Sequence, residues 1–490
     1  MIFVTNYSLE VLKMERKSGV LMHISSLNGD YSIGSFGDEA KYFIDFLKEC
    51  GFGYWQVLPF CPIDTCNSPY KSTSTFGGNL YFVNLDKLFQ KGLLTKNELL
   101  AQRQQNPYTC EFVRLFHTRI AVLLTASKRI KDRQKIEQFI SENPYLERFC
   151  EFMALKVSNN YKPWYQWDTM EFDQNILFMW KFIQYEFFSQ WSEIKKYANK
   201  SGIKIIGDIP IYVDLDSCDV WSNKELFKLD KQDIPTSVAG VPPDYFCADG
   251  QLWGNPIYDW KVMKEDNYKW WRDRINHMTG IFDGVRIDHF RGIESFWEIP
   301  AGAATAKEGK WSKGPGMELV DAIKEECGDA LIIAEDLGDI TPSVRKLLKK
   351  SEFPGMRVFQ FAFLGDALSP HLPHNYTSNC IAYTGTHDNN TLLGYIWELS
   401  ESNRKYMLEY CGHKNEDWRN GSESIIRTMF ASHAGIVIMP IQDLLGYGSD
   451  TRLNIPGKPE GNWQYRITQQ QLDSIDRKRF RRLNELYSRI

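Results

Sequence analysis

Eight short apolar runs, rich in β-branched residues, recur along the chain, and each ends in polar or glycine-rich residues. Most of them are followed by a stretch with the spacing of an amphipathic helix. Near-continuous apolar strands that alternate with helices are typical of a parallel sheet covered on both faces. The runs span residues 19–27, 54–60, 203–213, 282–290, 330–337, 356–364, 380–390 and 436–445.

Two of the segments between these runs carry clear helix signals. DEAKYFIDFLKECG (38–51) has an acidic first turn and a closing glycine, and GMELVDAIKEECGD (316–329) repeats that arrangement. Eight strand and helix units favour a (β/α)8 barrel of the TIM type over an open doubly wound sheet. The predicted fold class is therefore α/β.

Two gaps between the runs are too long for simple crossovers. Residues 86–200 contain amphipathic stretches such as EFVRLFHTRIAVLLTASKRI and predict a helical insertion, whereas residues 214–270 contain the Gly- and Pro-rich VAGVPPDYFCADGQLWGNPIYDW and predict a loop-rich one. Both follow strands at the end of the barrel where active sites are built. No linker separates a further domain, so we expect an N-terminal tail over 1–16 and one catalytic barrel over 17–490.

Composition restricts the partners. The 58 Lys and Arg residues nearly balance the 62 Asp and Glu residues, so neither a nucleic acid nor a membrane is expected as a partner. The 10 cysteines form no CxxC pair, and no run approaches the roughly 18 apolar residues of a membrane span. These features predict a cytoplasmic protein. The 14% aromatic content indicates either a large core or surfaces that stack on sugars.

Charged residues stand at the ends of four apolar runs, which in a barrel converge on one rim. Unpaired charge so close to a core would be costly, so this coincidence favours an active site. The residues are Asp208 in the third run, Arg286, Asp288 and His289 in the fourth, Glu335 and Asp336 in the fifth, and His387 and Asp388 in the seventh.

The fourth run places a guanidinium next to a carboxylate. Side chains at positions i and i+2 of a strand share a face, so Arg286 and Asp288 are expected to point together. A neighbouring guanidinium favours the ionised carboxylate, as a nucleophile requires. The ordinary alternative is an ion pair that closes the strand, and AEDLG and THDNNT have a similar alternative as helix-capping loops.

Paired carboxylates indicate glycoside chemistry here because other catalytic motifs are missing from the sequence. It contains no phosphate-binding glycine loop, no G-x-S-x-G elbow and no HExxH motif. A metal hydrolase built from the scattered histidines His23, His289 and His387 is the minor alternative. We therefore expect no metal and no cofactor.

Long motifs along the chain resemble those of the 4-alpha-glucanotransferases, also called amylomaltases or disproportionating enzymes, of glycoside hydrolase family 77 in the alpha-amylase clan. The resemblance runs from about Lys17 to Tyr465. It rests on SGVLMHISSL, YWQVLPF, NSPYKSTSTFGGN, IGDIPIYV, GVPPDYFCADGQLWGNPIYDW, FDGVRIDHFRG, IIAEDLG, YTGTHDNNT and RLNIPG.

This resemblance implies roles for individual residues. Asp288 corresponds to the nucleophile, Glu335 to the general acid/base and Asp388 to the aspartate that stabilises the transition state. The positions that correspond to substrate contacts are Tyr70, Asp208, Trp253, Arg286, His289, His387 and Asn454.

The implied reaction is a double displacement that retains configuration. A segment of an α-1,4-glucan is transferred through a covalent intermediate on Asp288 to the 4-hydroxyl of another maltooligosaccharide, of a starch or glycogen fragment, or of glucose. Retention predicts a separation of about 5 to 5.5 Å between the carboxyl groups of Asp288 and Glu335. The protein is expected to act as a monomer or homodimer.

One alternative remains open at this point, and a second is disfavoured. A hydrolase of maltodextrins would use the same residues, because transfer additionally requires an acceptor sugar to outcompete water at the intermediate. A catalytically inactive glucan-binding protein would lack one of the three carboxylates, and all three are present. Lys71 stands where the family commonly has Gln, which bears on donor-side details more than on the reaction.

Overall fold

The computed structural model describes residues 14–63, 66–243, 248–365, 367–414, 418–458 and 460–490. Most of the predicted N-terminal tail, and part of the sequence GVPPDYFCADGQLWGNP, therefore lie outside the described residues. The described strands are, in chain order, β1 (Lys17–Leu21), β2 (Tyr54–Gln56), β3 (Lys204–Ile209), β4 (Ser237–Val241), β5 (Gln251–Pro256), β6 (Gly284–Ile287), β7 (Ser295–Pro300), β8 (Lys310–Lys313), β9 (Leu331–Ala334), β10 (Gly355–Val358), β11 (Cys380–Tyr383) and β12 (Ile436–Pro440).

Eight of these strands close into a parallel barrel. Their order around the barrel is β1, β12, β11, β10, β9, β6, β3 and β2, so the first and last strands of the chain pair with each other. Each of the eight predicted runs contributes one barrel strand, and the predicted (β/α)8 fold is confirmed. Every residue of β6, β11 and β12 is buried, as expected of strands covered on both faces.

Helices surround the barrel and fill the first insertion. The helices predicted over 38–51 and 316–329 are present. The first of them ends at Gly51, which adopts the left-handed conformation with φ +78°. The described helices are α1 (Asp38–Cys50), α2 (Leu85–Gln90), α3 (Lys96–Ala101), α4 (Phe112–Lys128), α5 (Gln134–Ser141), α6 (Pro144–Ser158), α7 (Gln174–Lys200), α8 (Cys218–Ser222), α9 (Trp260–Glu265), α10 (Lys269–Ile281), α11 (Arg291–Glu294), α12 (Met317–Glu326), α13 (Pro342–Ser351), α14 (Leu392–Glu398), α15 (Glu401–Tyr410), α16 (Trp418–Ala431), α17 (Ile441–Leu445), α18 (Gln469–Asp473) and α19 (Arg477–Leu486).

An aromatic cluster joins the helical insertion to the barrel. Phe187 and Trp191 of α7 lie 5.0 and 5.2 Å from Phe36, and Trp191 lies 4.6 Å from Phe60, measured between ring centroids. All four side chains are buried. Much of the high aromatic content therefore serves the core, as one of the two interpretations proposed.

The second insertion contributes to a separate antiparallel sheet that the sequence analysis did not anticipate. The order of its strands is β5, β4, β7 and β8. β4 and β5 lie within residues 214–270, where a loop-rich insertion was expected, and β7 and β8 follow barrel strand β6. The short strands and their Gly and Pro residues resemble a loop in sequence, and the β4–β7 pairing that joins the two hairpins of the sheet links segments that are distant along the chain. Within the described residues, no helix combines the length and hydropathy needed to cross a membrane.

Candidate active site

A cleft of about 870 Å³ opens at the carboxyl end of the barrel strands and brings the predicted site residues together. Nine of the ten predicted residues line this cleft, and the tenth, Asp208, lies fully buried on strand β3 beneath it. The lining residues from the prediction are Tyr70, Trp253, Arg286, Asp288, His289, Glu335, His387, Asp388 and Asn454.

Arg286 connects two carboxylates at the bottom of the cleft. Its Nη1 donates to both oxygens of Asp208, at 2.7 and 2.6 Å, and its Nη2 donates to Oδ1 of Asp288 at 2.6 Å. The expected contact between Arg286 and Asp288 is therefore present, although the guanidinium is shared with Asp208. Strands β3 and β6 pair with Asp208 opposite Arg286, and this register places the three charges side by side.

Burial dominates the protonation of Asp288. It raises the pKa of this carboxyl to about 6, with further upward contributions from the charges of Asp208 and Asp388. Arg286 lowers the pKa, as the sequence analysis expected, but does not outweigh the burial. At neutral pH the Asp288 carboxylate is still mostly ionised and faces the cleft.

Glu335 differs from Asp288 in its protonation state. Burial, followed by the negative charge of Asp288, raises its pKa to about 8, so this carboxyl is mostly protonated at neutral pH. Two backbone amides hold it in place: the N–H of His289 donates to Oε2 at 2.7 Å and the N–H of Leu337 to Oε1 at 2.9 Å. His289 directs its amide from a left-handed conformation with φ +49°. Asp288 and Glu335 thus form a pair of one charged and one neutral carboxyl, the combination that acid-assisted nucleophilic attack requires.

Asp388 is kept ionised by its neighbours. Burial raises its pKa, but contacts with His387 and Asn454 outweigh that effect, and the pKa lies below its usual range. The Nε2 atom of His387 lies 3.3 Å from Oδ2, and the amide of Asn454 donates to Oδ1 at 2.6 Å. The guanidinium of Arg452 holds the backbone carbonyl of the same residue at 2.6 Å.

Aromatic rings contribute to the lining of the cleft. The hydroxyl of Tyr70 donates to Asp208 at 2.8 Å, and its ring stacks on His387 with centroids 4.9 Å apart and an interplanar angle of 17°. Trp253, on strand β5, contacts His289 edge to face at 4.9 Å. These rings give the cleft flat apolar surfaces next to carboxylates, an arrangement suited to a ligand with both apolar faces and hydroxyl groups.

Sequence reasoning missed some residues of the cleft. Trp463 lines it and lies 5.9 Å from Tyr70 and 5.8 Å from His387, measured between ring centroids. The tryptophan in the glycine- and proline-rich run IPGKPEGNW was the available signal. Arg452, which contacts Asp388 from outside the lining of the cleft, was missed as well, because this contact depends on how two loops meet. Among the described residues, no group of three or more His, Cys, Asp and Glu side chains is arranged to hold a metal ion.

A comparison with known proteins decides the family. The family model described as 4-alpha-glucanotransferase matches residues 22–471. The chain belongs to the 4-alpha-glucanotransferase family. The resemblance noted in the sequence is thereby confirmed, and so is the activity that it implied: the protein is a transferase with 4-alpha-glucanotransferase activity.

Relatives of this 4-alpha-glucanotransferase match over nearly its whole length. A 4-alpha-glucanotransferase of Clostridium butyricum is 43% identical, with 96% of this chain and 100% of that protein covered. One from Streptococcus pneumoniae is 42% identical over 97% of this chain and 98% of its own length. Among solved structures, an amylomaltase from Streptococcus agalactiae in complex with acarbose superposes with a TM-score of 0.93 at 39% identity and covers 97% of this chain and 100% of its own.

Proposed function

We propose that this 4-alpha-glucanotransferase moves a segment of an α-1,4-glucan to the 4-hydroxyl of an acceptor glucan or glucose by a retaining double displacement. The observation that carries the proposal is the pair of carboxyls, one mostly ionised and one mostly protonated, that face a single cleft. The amylomaltase from Streptococcus agalactiae, which holds acarbose, supports a glucan as the ligand.

In the first step, Asp288 attacks the anomeric carbon and the glycosidic bond breaks. Glu335 gives its proton to the leaving oxygen, so the departing chain leaves as a neutral alcohol. Positive charge develops on the sugar ring in this step. The neighbours of Asp388 keep its carboxylate ionised, and it stabilises the flattened transition state.

In the second step, Glu335 has lost its proton and acts as a base. It takes the proton from the 4-hydroxyl of the acceptor, which attacks the anomeric carbon and displaces Asp288. The protein returns to its starting protonation state, so no external proton donor or cofactor is needed. Two inversions at the same carbon give net retention, for which the two carboxyl groups are expected about 5 to 5.5 Å apart.

The remaining site residues hold the substrate in this proposal. Arg286 and Asp208 orient the nucleophile from below, while Tyr70 and His387 provide a stacked pair of rings on which the sugar at the cleavage point lies. Further contacts are assigned to Trp253, His289 and Asn454.

We also propose that residues 17–490 act as one catalytic unit. The strands that close the barrel come from both ends of this range, so no part of it builds the cleft alone. A cytoplasmic location remains part of the proposal, and buried free thiols such as Cys50, Cys110 and Cys150 agree with a reducing compartment.

Incubation with maltotriose separates transfer from hydrolysis. We expect free glucose together with oligosaccharides longer than maltotriose, with the same products in the presence of EDTA because the proposed route uses no metal. Release of glucose and maltose with no longer product would instead establish the hydrolase and overturn the proposal.

A further inference from the structure

The four-stranded sheet carries an exposed tryptophan at each of its edges. Trp253 lies on edge strand β5 and Trp311 on the opposite edge strand β8, with 37% and 40% of their surfaces exposed. Trp253 lines the catalytic cleft, whereas no function described so far uses Trp311. A single exposed apolar side chain is ordinary by itself, so the case for a role of Trp311 rests on how its ring is supported.

Both tryptophans are supported by the short segment that follows the nucleophile. Trp253 packs against His289, and the guanidinium of Arg291 lies 3.8 Å from the ring centroid of Trp311. These two supports follow Asp288 by one and three residues. The sheet is therefore docked onto the catalytic segment with one indole on each side of the contact.

The ring of Trp311 is held rigidly. Arg291 is buried and covers one face of the ring, and Trp297, directly opposite on strand β7, contacts the ring edge to face at 5.1 Å and 70°. Trp297 is fixed in turn because its indole N–H donates to the carbonyl of Ala306 at 2.8 Å. A flat ring that is fixed on one face and at one edge can bind a ligand without losing further side-chain freedom.

The Trp311 ring lies next to the wall of the catalytic cleft. Arg291 also donates to the backbone carbonyl of Asp339, and its Nη1 lies 3.6 Å from Oδ2 of that residue. Asp339 lines the cleft, and its side chain is 73% exposed. The guanidinium of Arg291 thus lies between the cleft and the indole of Trp311. The exposed carboxylate of Asp339 next to it is available to sugar hydroxyls.

We propose that Trp311 and Asp339 form an additional subsite that binds the part of a long α-1,4-glucan extending out of the catalytic cleft. The apolar C–H face of a pyranose ring packs on the free side of the indole, and the Asp339 carboxylate accepts hydrogen bonds from ring hydroxyls. A glucan is the occupant because Asp339, which contacts the same guanidinium as the Trp311 ring, lines a cleft that the proposed function already assigns to this ligand. This inference rests on that function.

The subsite predicts an effect that depends on chain length. Trp311→Ala is expected to lower the ratio of kcat/KM for long-chain amylose to kcat/KM for maltotriose by about 3- to 10-fold, in line with the loss of one aromatic contact. Each glucan serves as both donor and acceptor, so the result does not depend on which side of the cleavage point the subsite lies. Trp311→Phe, which keeps an aromatic face, is expected to retain most of the ratio.

Trp397 provides a matched control. It is 45% exposed on α14 and does not line the cleft, so Trp397→Ala should leave the ratio unchanged. A parallel fall of both kcat/KM values in Trp311→Ala, or no change in either, would overturn the subsite and assign the indole a structural role only.

Retardation of the protein in native gels that contain amylopectin measures binding without turnover. Trp311→Ala is expected to migrate faster than the unsubstituted protein and Trp397→Ala, and equal migration would overturn the subsite. Because this measurement needs no transfer, it tests the subsite even if maltotriose is only hydrolysed, an outcome that would contradict the proposed function alone.

Discussion

At the scale of single residues, the cleft separates two carboxyl groups by protonation state. Burial raises the pKa of both Asp288 and Glu335, but Arg286 acts more directly on Asp288, with which it shares a hydrogen bond of 2.6 Å. Each carboxyl also raises the pKa of the other while it is charged, so the two titrate as a pair. The first step is possible only when Asp288 has lost its proton and Glu335 has kept its own.

The pH dependence of kcat/KM follows from this requirement. We expect a bell-shaped profile that falls below about pH 6, where Asp288 becomes protonated, and above about pH 8, where Glu335 loses its proton. Initial rates of maltotriose disproportionation over pH 4–10 measure both limbs. A profile that is flat from pH 5 to pH 9 would contradict the assignment of these groups.

Asp208→Asn tests the cause of the acid limb. The negative charge of Asp208 raises the pKa of Asp288, and its removal also leaves Arg286 with a single carboxylate partner. The acid limb should therefore move to lower pH. Asp219→Asn, at another buried carboxyl that has no contact with this cluster, is the control and should leave the limb in place.

At the scale of elements, the loop between β11 and α14 carries His387 and Asp388 and is anchored by a buried carboxylate. Asp443 accepts a hydrogen bond from the hydroxyl of Thr384 at 2.6 Å and one from the backbone N–H of Leu392 at 2.7 Å. These contacts fix both ends of the loop. Asp443 is therefore a positioning residue that acts on the site through the backbone.

Asp443→Ala should destabilise the protein and lower turnover together. Two buried donors would lose their acceptor, which costs roughly 2 to 4 kcal/mol, and the loop would no longer hold Asp388 in place. Asp443→Asn keeps an acceptor for Leu392 and a donor for the Thr384 oxygen, so it should retain most of both properties. Urea unfolding and kcat measure the two effects, and an alanine variant with unchanged kcat would contradict the positioning role.

The sequence predicts the barrel better than it predicts the second sheet. All eight barrel strands are predicted because each is buried over most of its length and is therefore mostly apolar. The runs extend past the strands where the chain becomes a loop: the run 380–390 forms a strand only over Cys380–Tyr383. Strands β4 and β7 pair although barrel strand β6 lies between them in the sequence, and no local sequence pattern predicts that pairing.

In the candidate site, too, features that follow from strand ends are predictable from the sequence, and features that depend on tertiary contacts are not. Asp208, Arg286 and Glu335 lie at strand ends, and the convergence of strand ends in a barrel predicts that they meet. The sharing of Arg286 between two carboxylates depends on the register of β3 against β6, which the sequence pattern does not specify. Trp463 and Arg452 lie in loops whose paths are set by tertiary contacts.

At the scale of the whole molecule, the barrel is closed by a residue near the chain end. The fully buried Arg489 donates hydrogen bonds to five backbone carbonyls, all between 2.8 and 3.1 Å. One belongs to Lys17, at the start of the first strand, and the others lie around the start of the last strand. The guanidinium thus joins the two strands whose pairing closes the barrel. The carbonyls are those of Lys17, Phe430, Ser432, Ala434 and Gly435.

Arg489→Ala should lower stability markedly. The substitution removes several charge-assisted hydrogen bonds from a buried site, which costs about 3 kcal/mol or more. Arg482→Ala, at an exposed arginine of α19, is the control and should change stability by less than about 0.5 kcal/mol. Thermal unfolding measured by calorimetry compares the two, and equal transition temperatures would show that Arg489 does not close the barrel.

Trapping of the covalent intermediate tests the central claim most directly. The Glu335→Gln variant lacks the base of the second step. The donor is an α-maltotriosyl fluoride without its terminal 4-hydroxyl. Its fluoride leaves without help from an acid, and the donor itself cannot act as an acceptor. The glycosyl group should accumulate on the protein, and peptide mass spectrometry should place it on Asp288. An adduct on another residue, or no adduct while fluoride is released, would contradict a double displacement through Asp288.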